Sequence, residues 1–92
     1  MNQIGRKDGW LSAKIGSELV MMSAQSGFYI GCNEVGARIW ELLEAPMTVD
    51  SLCAKLMSEY EVTLEQAHTE VGEFLEELAK HEAITFDPAP NH

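Results

Sequence analysis

Apolar and polar residues change period several times along these 92 residues, and each change marks the boundary of an element. From residue 10 to 15, Trp10, Ser12 and Lys14 alternate with Leu11, Ala13 and Ile15, the period-two pattern of a half-buried strand. Gly16-Ser17 supplies a two-residue turn. Residues 18–23 are nearly continuously apolar, which suits the central strand of a small sheet. After a turn at Ala24-Gln25-Ser26-Gly27, residues 28–32 are aromatic, β-branched or small and form a third strand. The three strands are expected to pair as an antiparallel meander with residues 28–32 at one edge.

At Asn33 the period becomes helical, with Val35, Ile39, Leu42 and Leu43 three or four residues apart. The Asn33 side chain suits an N-cap and Glu34 suits the positive end of the helix dipole, so a first helix is predicted over 34–44. Pro46 disfavours helical geometry at Ala45 and ends it. Thr48 then caps a second helix over 49–60, where Val49, Leu52, Cys53, Leu56, Met57 and Tyr60 make a complete amphipathic stripe. Thr63 and Gln66 form a capping box that opens a third helix, with Leu64, Ala67, Val71, Phe74, Leu75 and Leu78 on its apolar face and Lys80 and His81 in its last turn. Residues 83–86 read as a short closing strand. Residues 1–9 are polar and aperiodic and are expected to be a flexible arm, and residues 87–92 a disordered tail. One domain over 10–86 follows, in the order β-β-β-α-α-α-β. The fold class is α+β and winged helix-turn-helix-like: an N-terminal three-stranded meander, three helices and a short C-terminal strand.

Composition adds that 46% hydrophobic against 23% charged residues supports a packed core. No apolar run approaches the roughly 20 residues that span a bilayer, and the N-terminus lacks an apolar signal segment. A soluble, cytoplasmic protein without membrane contact is expected. Charge says more: six Lys and Arg against fifteen Asp and Glu give −9, which removes the usual drive for nucleic-acid binding. The acids concentrate in the third helix and its flanks (Glu59, Glu61, Glu65, Glu70, Glu73, Glu76, Glu77, Glu82). They serve either a solvated face or a basic partner.

Nothing in the chain assembles a catalytic centre. His68, His81 and His92 have no ligand spacing with Cys32 or Cys53, Ser51 has no base placed beside it, and no glycine-rich phosphate loop is present. The two cysteines lie in apolar segments and read as buried free thiols. No cofactor, metal or enzymatic activity is expected. The edge strand at 28–32, by contrast, carries neither proline nor lysine and so lacks the usual defences against pairing with another strand. Either a helix or the N-terminal arm covers it, or another chain adds to it.

The pattern Phe28-Tyr29-x-Gly31-x-Asn33-x-x-Gly36-Ala37-x-Ile39-Trp40-x-Leu42-Leu43, with Met47-Thr48-Val49-x-x-Leu52 and Val71-x-x-Phe74-Leu75-x-x-Leu78, resembles the family of pyrroloquinoline-quinone synthesis protein D. Its members are also called RiPP recognition elements, and the likeness spans roughly residues 10–86. Cys32 departs from the leucine that often precedes the asparagine. The resemblance implies non-catalytic recognition of the leader peptide of a ribosomally made precursor, which adds as a strand to the third strand and lies against the third helix. It implies delivery to a tailoring enzyme such as a leader peptidase, cyclase or radical enzyme, in lasso-peptide biosynthesis among other pathways. The implied peptide-binding residues are Phe28, Tyr29, Ile30, Gly31 and Cys32 on the strand, and Leu64, His68, Val71 and Leu75 on the helix. Residues such as Val71 and Leu75 are more often plain core, and a histidine such as His68 on an apolar stripe is usually partly buried and satisfied rather than a ligand. A winged-helix regulator needs a basic recognition helix, which the acidic third helix opposes; a protein adaptor using the same edge is the other alternative. The chain is expected as a monomer or, through its open edge, a strand-exchanged dimer.

Overall fold

The computed structural model of the protein describes residues 2–88. Its elements are β1 (Asn2–Arg6), β2 (Trp10–Ile15), β3 (Glu18–Ser23), β4 (Tyr29–Cys32), α1 (Glu34–Leu42), α2 (Val49–Glu59), α3 (Leu64–Lys80) and β5 (Ile84–Pro88). The expected α+β class and order hold, with one strand added in front. β2, β3 and β4 form an antiparallel sheet in that order, so β3 is central and β4 an edge. Its inner face supplies Leu19, Met21, Ile30 and Cys32 to the core.

β2 is not the half-buried strand its alternation suggests: Leu11 to Ile15 are all exposed and only Trp10 packs partly on the core. Ser12 and Lys14 register with the buried Met21 and Leu19, and Lys14 Nζ reaches Glu41 at 3.1 Å. The helices start as their caps dictate. Asn33 accepts from the Gly36 amide and Thr48 from the Ser51 amide, and Thr63 and Gln66 complete the capping box. Their buried stripes, Ala37, Ile39 and Trp40 of α1, Leu52, Cys53 and Leu56 of α2, and Ala67, Val71, Leu75 and Leu78 of α3, meet the sheet in one cluster. α1 stops two residues earlier than its periodicity suggests, with Leu43 as C-cap and its side chain still buried.

Residues 1–9 require a correction. The segment expected to be a flexible arm contains β1, which pairs antiparallel with β5 from Asn2↔Pro88 to Arg6↔Ile84. Ile4 is only 1% exposed and exchanges backbone hydrogen bonds with Met47 (2.7 and 3.0 Å). The Arg6 guanidinium lies 4.4 Å over the Trp40 ring and donates to the Trp40 carbonyl through Nε at 3.1 Å. Lys7 donates its amide to Ala83 and its ammonium to Glu82. One buried isoleucine among polar residues gives no period to detect, and the partner strand lies at the far end of the chain. The closing strand accordingly belongs to a second, two-stranded sheet. It runs on through Pro88, past the boundary expected for the tail; residues 89–92 lie outside the described residues.

α3 ends in a Schellman arrangement, with Ala83 N–H on the Leu78 carbonyl and Glu82 N–H on that of Ala79. Glu82 sits at φ 57°, a left-handed position that glycine fills without steric cost. Two outcomes are expected in urea unfolding followed by circular dichroism. Ile4→Ala lowers stability by roughly 2–4 kcal/mol, as for other buried truncations, whereas a flexible arm would leave it unchanged. Glu82→Gly raises stability by roughly 0.5–1 kcal/mol through relief of the backbone strain, against the small loss of an exposed ion pair.

Candidate functional site

β4 runs into α1 through the single residue Asn33, whose Oδ1 accepts from Gly36 N at 2.9 Å. This junction fixes the direction of the sheet edge relative to the helices. The ladder to β3 has Leu19 opposite Cys32, Met21 opposite Ile30 and Met22 opposite Tyr29, and Ser23 donates to the Phe28 carbonyl at 2.9 Å. An antiparallel ladder alternates, so Ile30 and Cys32 follow Phe28 in bonding to β3. The N–H and C=O groups of Tyr29 and Gly31 are therefore directed to the open side. Side chains alternate in the same register: Ile30 and Cys32 are buried, while Tyr29 is 64% exposed and Gly31 is open to solvent.

Beside that edge lies a cavity of about 210 Å³ lined by Gly31, Cys32, Asn33, Gly36, Ile39, Glu70, Glu73, Phe74 and Glu77. β4 and the start of α1 form one wall and α3 the other. Gly36 sets how closely they approach: a Cβ there would stand 3.1 Å from Phe74 Cε1 and 3.3 Å from the Cys32 Cβ. At one end Phe28 stacks on His81, with ring centroids 4.2 Å apart, and His81 Nε2 is 3.2 Å from Glu77 Oε1. Toward the other end a second cavity, of about 200 Å³, lies among Val35, Leu56, Tyr60, Val62 and Ala67 and shares Glu70 with the groove.

Burial pushes the Cys32 thiol up to about 11, and burial also raises the Cys53 thiol, helped by Asp50. Both are free. An unfolded thiol ionises near about 8.5, so the stability that neutral Cys32 confers is whole below that pH and lost as pH rises towards 11.

The strand residues expected at the site are all at this edge, Phe28, Tyr29 and Gly31 facing outward or along it and Ile30 and Cys32 holding it to the core. The helix stripe is displaced. Val71 is 0% and Leu75 5% exposed; both are core residues and correct the expectation that they line the groove. Leu64, 54% exposed, and the exposed His68 do not belong to the groove lining. The stripe that faces β4 is Glu70, Glu73, Phe74 and Glu77, with His81 beyond it. It lies one residue, about 100° of helix rotation, from the expected one. Apolar periodicity finds the buried face; the groove wall beside it carries carboxylates, which resemble an ordinary solvated face.

The sequence model for coenzyme PQQ synthesis protein D (PqqD) matches residues 18–84. The chain belongs to the PqqD family. Among solved structures, TbiB1 in complex with the TbiA(beta) leader peptide is 32% identical, with a TM-score of 0.78 over 87% of this chain and 93% of that one. A lasso peptide synthetase B1 complexed with the leader peptide shares the fold at 21% identity, with a TM-score of 0.76 over 89% of this chain and 96% of that one. Comparison with curated proteins gives no significant match. In this PqqD-family chain, the described residues contain no group of three or more His, Cys, Asp or Glu placed to hold a metal, and no helix long and apolar enough to cross a membrane.

Gly36→Val should overpack the α1–α3 contact and lower stability by about 1–3 kcal/mol in urea unfolding. Ellman's reagent at pH 8 should label Cys32 and Cys53 slowly in the folded chain and promptly once urea unfolds it; equal rates would contradict the burial of both thiols.

Proposed function

We propose that this chain binds the leader peptide of a ribosomally synthesised precursor by adding it as an antiparallel strand to β4, in the groove against α3. The observation that carries this reading is the open edge of β4, with the backbone groups of Tyr29 and Gly31 directed away from β3. Main-chain hydrogen bonds would supply affinity independent of sequence, and the groove would choose among side chains. The TbiB1 and lasso peptide synthetase B1 structures, each holding a leader peptide, support that ligand class and a lasso-peptide pathway.

The role is recognition and delivery. Holding a flexible precursor raises its effective concentration at a partner leader peptidase, cyclase or radical enzyme. The outer sheet face, where Leu11, Ile15 and Tyr29 are exposed, leaves a surface for such a partner beside the bound leader.

Proline substitution tests the reading by calorimetric titration with a synthetic leader peptide, starting from the TbiA(beta) leader that TbiB1 binds. Tyr29→Pro removes a donor on the open side while leaving the bonds of Ile30 to β3 intact, and should weaken binding about tenfold or more with native-like circular dichroism. A folded Tyr29→Pro that binds as tightly as the parent would place the peptide elsewhere. Ile30→Pro, which breaks the ladder itself, should unfold the sheet and serves as the contrast.

A further inference from the structure

The wall of the groove is charged in one sense only. Glu70, Glu73 and Glu77 line it together with Phe74, and no basic residue does. The six cations of the chain are engaged or placed outside the groove lining: Arg6 lies on Trp40, Lys7 pairs with Glu82, Lys14 with Glu41, Arg38 with Glu41 and Glu59, Lys55 is on α2, and Lys80 lies past the end of the groove, in a separate cavity with Phe28 and His81. Among the described residues Glu70 and Glu73 take part in no ion pair, and Glu77 meets only His81. Three carboxylates beside one half-buried aromatic ring, next to an unpaired strand edge, specify a side chain that is apolar along its stem and cationic at its tip.

We infer that the groove selects leader peptides carrying Lys or Arg at strand positions that face α3, the stem lying along Phe74 and the cation reaching Glu70, Glu73 or Glu77. This rests on the leader-binding reading above and adds the chemistry of the selected residue. Alternate residues of an added strand face the same wall, about 6.7 Å apart. Glu73 and Glu77 are four residues apart on α3, about 6 Å of helix rise. Basic residues at i and i+2 of the leader therefore each meet a carboxylate. Arg favours the site over Lys, because its planar guanidinium both stacks on an aromatic ring and bonds carboxylates in pairs.

The test is selection from a displayed library of random 15-residue peptides on the full chain. Three forms are used: the parent, E70Q/E73Q, and E65Q/E76Q. The last changes the net charge equally on the same helix but outside the groove lining. The parent and E65Q/E76Q should enrich sequences with Arg or Lys at i and i+2, and E70Q/E73Q should lose that enrichment. A selected peptide should bind E70Q/E73Q about tenfold more weakly than E65Q/E76Q, a difference that shrinks in high salt. Replacing its basic residues with Met should weaken binding to the parent and remove the difference between variants. Enriched peptides with no basic alternation, or equal losses in both double variants, would overturn the charge selection and leave peptide binding standing. Failure of the parent to enrich any peptide would overturn both.

Discussion

One residue, Asn33, joins the sheet edge to the helices, and the geometry of the site depends on that join. Its side chain caps α1 on the Gly36 amide, so β4 becomes helix without a loop that could flex. A capping bond of this kind contributes about 1 kcal/mol, but its structural effect is larger than its energy. It places Gly36 in the first turn of α1, where the absent Cβ lets Phe74 of α3 approach. Strand edge, helix start and groove wall are thereby set by one short segment, and a peptide would meet a surface already formed.

The two ends of the chain supply the frame that holds this arrangement. β1 and β5 pair with each other, and β1 also bonds to Met47 between α1 and α2. Ile4 enters the core and Arg6 lies against Trp40 of α1. A domain of this size has little core to spare, so a buried isoleucine and an ordered terminal strand are a substantial fraction of what keeps it folded. Burial lowers the Arg6 pKa from its ordinary value, with Glu44 and Glu41 acting the other way. The guanidinium nevertheless stays charged, and its position over an indole with donors on a carbonyl suits a partly desolvated cation.

Most of the fold was legible from local signals, because the elements are punctuated by strong ones. Asn33, Thr48 and the Thr63–Gln66 box mark three helix starts that the structure reproduces, and Gly16 and Gly27, both at positive φ, mark the strand turns. β1 was not legible: its partner is some eighty residues away, and a strand with one buried side chain has no amphipathic pattern. Of the candidate site, the open edge was legible, since it can be inferred from strand order and the absence of lysine and proline. On α3 the apolar stripe gave Val71 and Leu75, which are core. Periodicity reports burial against the protein itself, while a surface awaiting a partner keeps solvent-compatible residues. Phe74 was visible as part of the apolar face, but its place at the groove follows from Gly36, a contact between separate elements that no local pattern encodes.

That division between backbone edge and charged wall has a consequence for selectivity. Main-chain bonding to β4 would accept almost any extended peptide, which is a hazard for a protein with an exposed edge, including pairing with its own copies. The carboxylates of α3 would act against the second outcome. A second copy offering its own β4 would bring Glu70, Glu73 and Glu77 towards their counterparts across a shared interface, and like charges so placed oppose association. A chain lacking acids and carrying a basic side chain meets no such opposition. The same wall that would favour a cationic leader would thus keep the edge available for it, so specificity towards the ligand and resistance to self-pairing would come from one set of residues.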